Sequence, residues 1–191
     1  MEVKNYVKIY DDVLPLPLLQ IIIRWCNKAK FNQAQIINDG TNEAVNTEVR
    51  NTQNLALSPS SPSLTNVHYG AVLGRIMMNR ILQYQRDFNI LEFQIKGIND
   101  IQILKYEPGG FYTWHIDHAG DVIPRTMSCI LFLNNDYKGG NLCFRDPNGE
   151  NEISIEPKPA RLIIWPSNFL YPHTVKPVTE GTRYSVVGWA V

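Results

Sequence analysis

The amino-acid sequence predicts a mainly β protein of the α+β type, in which a β-sandwich or barrel carries two helices packed on its outside. Nine short runs rich in β-branched and aromatic residues follow one another from residue 93 to the C-terminus, with Gly, Pro, Asn or Asp between them. Two longer amphipathic stretches precede these runs. Closely spaced short strands favour antiparallel sheets over a parallel α/β sheet. The length of 191 residues fits one domain with its own core.

Residues 1–92 are predicted to support this core with one short strand and two helices. The strand is expected at 6–9. The first helix is expected over about 15–29, where prolines occupy the first turn and apolar residues form one face. The second helix is expected over about 66–88, because its apolar residues recur at helical spacing among Arg and Gln.

Residues 32–65, between the two helices, are rich in Asn, Thr, Ser and Pro. This composition predicts an irregular segment with at most one short strand. Long connections of this kind in compact domains often bind ligands or close over a site. We therefore expect this segment to form a lid.

Residues 93–191 are predicted to form the catalytic core. Its strands are expected at 93–96, 101–106, 112–117, 128–133, 141–145, 152–155, 160–165, 173–175 and 183–191.

Composition narrows the functional classes. Lys and Arg together number 18, as do Asp and Glu, so the formal charge is zero and no basic surface is expected to hold a nucleic acid. The three cysteines are widely spaced, which favours reduced thiols in the cytoplasm over a disulfide framework. No apolar run has the length of a signal peptide core or a membrane span. We expect a cytoplasmic protein that binds no membrane, and no feature indicates an oligomeric state.

The tripeptide His115-Ile116-Asp117 is the first candidate metal-binding feature. In an extended strand, residues two positions apart share a face, so an imidazole and a carboxylate would converge. His173 offers a third ligand on a later predicted strand. Two histidines and one carboxylate that leave further positions open are the geometry of non-haem Fe(II) oxygenases.

Arg183 begins the last predicted strand, where it shares a face with Ser185 and Trp189. A guanidinium that points into a barrel needs an anionic partner, and a dicarboxylate can supply one with bidentate geometry. The residues themselves leave open whether this arginine lies inside the barrel or on its surface.

The ordered motifs from residue 100 to 191 resemble the prolyl 4-hydroxylase branch of the 2-oxoglutarate/Fe(II) oxygenases. They are Tyr106-Glu-Pro-Gly-Gly-Phe-Tyr-Thr-Trp-His-Ile-Asp117, Ser128-Cys-Ile-Leu-Phe-Leu-Asn134, Gly139-Gly-Asn-Leu-Cys-Phe144, Arg161-Leu-Ile-Ile-Trp-Pro-Ser167, and His173 followed by Arg183-Tyr-Ser-Val-Val-Gly-Trp189. The resemblance implies a double-stranded β-helix, or jelly roll, with iron near one mouth. At the position of Arg183, the family's oxygen-sensing prolyl hydroxylases also have Arg, whereas collagen-type enzymes usually have Lys. In this feature the chain resembles the oxygen-sensing enzymes.

The resemblance also implies roles for individual residues. His115, Asp117 and His173 match the family's iron ligands, and Arg183 matches the residue that pairs with the distal carboxylate of 2-oxoglutarate. Tyr106 matches a tyrosine of the co-substrate pocket, which Ser185 and Trp189 are expected to help shape. The implied cofactor and co-substrates are Fe(II), 2-oxoglutarate and O2, with ascorbate as a candidate reductant.

The expected reaction is hydroxylation of a C–H bond, with a prolyl residue in a peptide or protein as the leading substrate. Hydroxylation of a free amino acid or another small molecule is the alternative within the enzyme class. A non-catalytic metal-binding jelly roll is the alternative from another class. Arg50 and Tyr112 are candidate substrate contacts, and the loop 119–125 after the iron ligands is a further one.

Overall fold

The computed structural model describes residues 3–38, 42–89, 95–118 and 124–191. It confirms the mainly β architecture with two helices. The helices are α1, Leu16–Cys26, and α2, Leu64–Asp87. The strands are β1 Lys8–Tyr10, β2 Asn32–Gln33, β3 Ile36–Asn38, β4 Asn42–Ala44, β5 Arg50–Asn51, β6 Gln53–Ala56, β7 Ile98–Tyr106, β8 Phe111–His115, β9 Met127–Phe132, β10 Lys138–Gly139, β11 Leu142–Arg145, β12 Glu152–Ile155, β13 Leu162–Pro166, β14 His173–Val175, β15 Val178–Glu180 and β16 Arg183–Ala190.

Two antiparallel sheets form the body of the protein. The larger has seven strands in the order β1-β13-β9-β16-β7-β6-β2, and the smaller has five in the order β12-β11-β14-β8-β5. Two further pairs, β10-β15 and β3-β4, lie apart from them. Strands β1, β2, β5 and β6 bring the N-terminal half of the chain into both main sheets, while the division of the chain at residue 92 stays a prediction.

Both helices start where the sequence favours a helix end. Pro15 and Pro17 flank the first residue of α1, where proline costs no helical hydrogen bond. The Ser63 hydroxyl caps α2 by accepting a hydrogen bond from the Asn66 amide at 3.3 Å. Gly70 of α2 lies so close to the main-chain oxygen of Leu57, just after β6, that a β-carbon would collide with it. These features fix where the helices meet the larger sheet.

The larger sheet separates two hydrophobic clusters. The helices bury Leu73 and Ile22 against one face, together with Val186 of β16. The other face contributes Val187 and Trp189 to a second cluster, which includes residues of the smaller sheet. Alternation along β16 therefore serves both clusters, as expected for a strand with two buried faces. The second cluster surrounds the candidate site.

Several sequence predictions need correction. Residues 32–56 contain five short strands, β2 to β6, where at most one was expected. Strand β8 ends at His115, so Asp117 lies in a bend and not in the strand. Strands β10 and β15 were not predicted. These strands are only two to four residues long, too short for a period-2 pattern to be visible in the sequence.

The strand predicted at 93–96 is only partly testable. Residues 93 and 94 lie outside the described part of the chain, and Ile95 and Lys96 belong to no strand. The Lys96 amide donates a hydrogen bond to the main-chain oxygen of Val191 at 2.6 Å. Within the described ranges, no helix is long and apolar enough to cross a membrane.

Candidate metal centre and ligand pocket

His115, Asp117 and His173 meet between the two main sheets. Strands β8 and β14 pair so that His115 and His173 lie opposite each other, and the bend after β8 returns Asp117 to the same place. The candidate ligand atoms of the three residues all lie within 4.8 Å of one another. The Asp117 carboxylate oxygens are 3.7 Å from His115 Nε2 and 3.5 Å from His173 Nε2. The predicted triad is therefore assembled, although Asp117 reaches it through a bend.

Main-chain carbonyls orient both imidazoles. Nδ1 of His115 lies 2.8 Å from the Thr113 oxygen, and Nδ1 of His173 lies 3.1 Å from the Tyr171 oxygen. A carbonyl oxygen can only accept a hydrogen bond, so each Nδ1 carries the N–H and each Nε2 keeps its lone pair. Second contacts of this kind are typical of metal-bound histidine. Both Nε2 atoms are thus prepared to bind a cation.

Hydrogen bonds hold the Asp117 carboxylate. The buried Ser128 hydroxyl donates to Asp117 Oδ2 at 2.6 Å, and the Ser167 hydroxyl lies 2.7 Å from that of Ser128. Burial by itself would raise the pKa of Asp117. The neighbouring His173 and His115, with hydrogen bonds from Ser128 and the Trp189 side chain, outweigh burial and lower that pKa below its usual range. Asp117 is therefore a carboxylate at neutral pH.

The pKa of His115 is lowered, first by burial and then by the charge of His173, against the opposing effect of Asp117. The imidazole is therefore neutral at pH 7. A buried site with neutral imidazole and ionised carboxylate is the donor set that Fe(II) takes in facial triads. The described residues thus fit a divalent metal ion at this position.

Arg183 is fully buried and carries unused hydrogen-bond donors. Its Nη1 donates to the Ser185 hydroxyl at 2.9 Å, whereas Nε and Nη2 are buried without a partner among the described residues. Its guanidinium carbon lies 4.9 Å from the centre of the Tyr106 ring and 5.2 Å from that of Phe132. A buried cation without an anion is costly, so the arrangement calls for an anionic ligand. The structure places Arg183 inside the sandwich, as predicted for a ligand-binding residue.

Tyr137 is a neighbour of Arg183 that the sequence did not indicate. The Tyr137 hydroxyl, like Arg183 Nε and Nη2, has no hydrogen-bond partner among the described residues. Burial raises the pKa of the Tyr137 phenol, while the nearby Arg183 charge opposes that rise. Gly140 allows this contact, since a β-carbon there would press on Arg183 Cδ and on the Tyr137 ring. Tyr137 belongs to the turn before β10, where no strand alternation shows the direction of a side chain.

A cavity of about 1090 Å³ opens at the triad. Tyr106 lines it and also contacts Arg183, whose guanidinium carbon is 4.9 Å from the centre of the Tyr106 ring. Apolar side chains form much of its inner wall: Leu104, Ile130, Trp165, Val175 and Val187. The indole N–H of Trp165 is buried there without a partner among the described residues.

Stacked aromatic and basic side chains flank the mouth of the cavity. The Tyr112 ring lies parallel to His115 with ring centres 3.6 Å apart, and the Arg50 guanidinium lies 4.8 Å from the Tyr112 ring centre. On the other side the Arg125 guanidinium lies 3.6 Å from the Trp189 ring centre. Arg50 and Tyr112 thus lie beside the triad, and their role as substrate contacts stays a prediction.

Two sequence predictions concern the rest of this region. Trp189 lines the cavity and its side chain contributes to lowering the pKa of Asp117, while its part in the co-substrate pocket stays a prediction. Of the loop 119–125, residues 119–123 lie outside the described part of the chain, but Arg125 lines the cavity. Ser128 and Ser167 escaped prediction, because a serine in an apolar strand has no signature that distinguishes a ligand-holding role.

Comparison with known proteins shows what this chain is similar to. Residues 101–191 match the sequence model of the 2OG-Fe(II) oxygenase superfamily, and this segment, just under half of the chain, carries the triad, Tyr106 and Arg183. The fold of the whole chain is the jelly roll of solved prolyl hydroxylases.

Curated relatives are PKHD-type hydroxylases. The chain is 38% identical over 94 residues to one from Stenotrophomonas maltophilia (strain R551-3), a match that covers 44% of the chain and 40% of the relative. It is 29% identical over 145 residues to one from Idiomarina loihiensis, covering 74% of the chain and 59% of that relative. The chain thus spans less than two thirds of the length of each of these relatives.

Solved structures share the fold over nearly the whole chain. A prolyl-4-hydroxylase from Pseudomonas putida has a TM-score of 0.71 at 22% identity, with 97% of this chain and 91% of that chain covered. A prolyl hydroxylase from Trichoplax adhaerens, in complex with a hypoxia inducible factor peptide fragment, has a TM-score of 0.77 at 19% identity, with 97% and 83% covered.

Proposed function

We propose that this chain is an Fe(II)- and 2-oxoglutarate-dependent dioxygenase that hydroxylates a C–H bond of a prolyl residue in a peptide or protein. The observation that carries the proposal is the pairing of two features between the same sheets. One is a buried set of two histidines and one carboxylate within 4.8 Å, and the other is a buried arginine with two unused donors. The first feature can bind a metal ion, and the second can bind one carboxylate of a dicarboxylate.

His115, Asp117 and His173 would hold the iron. Together with 2-oxoglutarate and O2, the metal supplies oxidative decarboxylation coupled to hydroxylation of the substrate. Asp117 occupies a position that related halogenases leave to a halide, which favours hydroxylation. Ser128 keeps this carboxylate oriented through its 2.6 Å hydrogen bond.

Arg183 would bind the distal carboxylate of 2-oxoglutarate. Its Nε and Nη2 donors are free for a bidentate contact, while the Ser185 hydroxyl holds its Nη1 in place. Tyr106 lines the cavity and lies beside the guanidinium, so it would flank the bound co-substrate. Apolar residues around this path, such as Ile130 and Val187, exclude water from the reacting atoms.

A prolyl substrate is supported by the likeness of the fold to solved prolyl hydroxylases and by the two arginines at the mouth. Arg50 and Arg125 lie over the Tyr112 and Trp189 rings, and both line the cavity. Guanidinium N–H groups suit the main-chain carbonyls on either side of a proline. The proposal places the reaction in a reducing compartment such as the cytoplasm, in keeping with three free, buried thiols.

The first test is an anaerobic titration of Fe(II) and 2-oxoglutarate into the protein. We expect the visible charge-transfer band of the iron chelate. His115→Ala should abolish the band, whereas His118→Ala should retain it, because His118 contacts the Arg125 main chain and lies outside the triad. Absence of the band from the unmodified protein would overturn the assignment to this class.

The second test concerns the substrate. Succinate release and a mass gain of one oxygen are measured with proline-containing peptides, free amino acids and oligonucleotides in parallel. The proposal expects turnover with the peptides, with the added oxygen on a prolyl residue. Turnover with a free amino acid alone would refute the prolyl peptide as substrate and leave the oxygenase class standing.

A further inference from the structure

The cavity continues beyond the triad along the exposed part of the larger sheet. Gln102 lies on the same face of β7 as Leu104 and Tyr106, which belong to the cluster around the site. Asn54 of β6 pairs in register with Leu104, so its side chain lies on that face too. Both amides line the cavity and both are half-buried. They form a polar patch on the β6–β7 side of the cavity.

The two amide side chains are bound to each other. Asn54 Nδ2 donates to Gln102 Oε1 at 2.7 Å. Among the described residues, neither side chain makes another hydrogen bond. The carbonyl oxygen of Asn54 and the NH2 group of Gln102 therefore remain available. This pair offers one acceptor and one donor side by side, which is complementary to a peptide unit with its own N–H and C=O.

Charge at the groove is consistent with a neutral ligand group at the pair. Arg125 Nη2 and Asp100 Oδ2, which line the same cavity, lie 3.3 Å apart and offset each other. Arg50, the other arginine of the lining, donates to the main-chain oxygen of Gln35 and lies over Tyr112 beside the triad. A main-chain amide carries no charge and needs no partner ion.

The position of the pair in the sheet determines its distance from the substrate residue that reacts at the metal. Ser128, which holds Asp117, belongs to β9, and the sheet continues from β9 through β16 and β7 to β6. With neighbouring strands about 4.8 Å apart, β7 and β6 lie about 10 and 14 Å from β9. An extended chain advances about 3.3 Å per residue, so three to four residues bridge this distance. A free amino acid at the iron is too short to reach the pair.

We propose that Asn54 and Gln102 form a main-chain binding subsite, which holds a peptide unit about three to four residues away from the residue that is hydroxylated. This inference rests on the proposed function and deepens it. The substrate is then an extended polypeptide segment, and Asn54 and Gln102 determine the length of that segment that the enzyme binds.

The experiment compares substrate length in the iron-loaded enzyme. The probes are two mixtures of end-blocked peptides with a central proline and random flanking residues, one of three residues and one of eleven. The test variant is Asn54→Leu combined with Gln102→Met, which keeps side-chain volume and leaves no lone amide. Asn141→Leu is the matched control, because it removes an amide bonded to Ser154 at 2.9 Å away from the groove.

The unmodified enzyme should have a higher kcat/KM for the longer peptides. The double variant should lose about tenfold on the longer peptides, as expected for two lost hydrogen bonds, and remain within about twofold on the shorter ones. Gln102→Met alone should lose about threefold. Anaerobic binding of a labelled eleven-residue mixture, followed by fluorescence anisotropy, should weaken in parallel, and Asn141→Leu should match the unmodified enzyme.

Equal loss on both peptide lengths, or no loss on either, would overturn the subsite. Use of free proline with no use of the longer peptides would overturn it as well. The iron and 2-oxoglutarate charge-transfer band separates this failure from failure of the proposed function. The band persists in the double variant if only the subsite is wrong, and it is missing from the unmodified protein if the oxygenase assignment is wrong.

Discussion

Replacement of Arg183 by methionine should separate stability from ligand binding. The guanidinium is 0% exposed and leaves two of its nitrogen atoms without a partner among the described residues. An apolar side chain in place of an uncompensated buried charge stabilises a protein by about 1–4 kcal/mol. The lost hydrogen bond to Ser185 and the lost contact with Tyr106 offset part of this gain. We expect a net gain of about 1 kcal/mol in the ligand-free protein, which raises Tm by about 2–4 °C for a domain of this size.

The same substitution should nearly abolish 2-oxoglutarate binding. Two charge-assisted hydrogen bonds to one carboxylate contribute about 3 kcal/mol or more, so the Kd should rise about a hundredfold. The assay is thermal unfolding with Mn(II) in place of iron, with and without 2-oxoglutarate. The unmodified protein should be stabilised by 2-oxoglutarate, and Arg183→Met should show no such shift.

Arg161→Met is the control for this experiment. Arg161 binds the half-exposed Asp11 at 2.7 Å, so its loss should cost less than about 1 kcal/mol and leave 2-oxoglutarate binding unchanged. A ligand-free Arg183→Met protein that is less stable than the original, and that 2-oxoglutarate still stabilises, would refute the reasoning.

Three further predictions concern the metal site and the packing of α2. Ser128→Ala removes the 2.6 Å hydrogen bond to Asp117 and should weaken Mn(II) binding about tenfold, as measured by electron paramagnetic resonance titration. Because the pKa of His115 is lowered on folding, the unfolded chain takes up a proton there first, so stability is complete above about pH 6.5 and falls below it. The free energy of unfolding of the metal-free protein is therefore measured with urea at pH 7.5 and 5.5. Between these pH values the unmodified protein should lose about 1.4 kcal/mol more than His115→Asn loses, and equal losses would contradict this prediction. Gly70→Ala should lower stability by about 1–3 kcal/mol through collision with a main-chain oxygen, whereas Gly97→Ala, with no atom within 4 Å of a new β-carbon, should not.

The sequence predicts the two histidine ligands well because each lies on a strand whose pattern is local. The structure pairs those strands so that His115 and His173 are opposite each other. Arg183 differs, because its strand is buried on both faces and alternation does not show which way the guanidinium points. The family resemblance, not the strand pattern, indicates its role.

The remainder of the site depends on contacts between distant segments. Asp117 reaches the metal position through a bend that no periodicity encodes. Ser167 acts on it only because β13 pairs with β9 and brings Ser167 to Ser128. The short strands β2, β5 and β6 exist because the two main sheets offer edges for pairing, and β3 pairs only with β4, so the polar residues of these strands do not predict them.

The two buried faces of strand β16 restrict which mutations this protein can tolerate there. Its alternate residues serve the helix side and the metal side, with Val186 on one and Val187 on the other. A substitution changes one face at a time. An insertion or deletion of a single codon inside the strand would exchange the two faces and send Arg183 towards the helices. Length variation among descendants of this gene should therefore fall in the loops, while β16 keeps its number of residues.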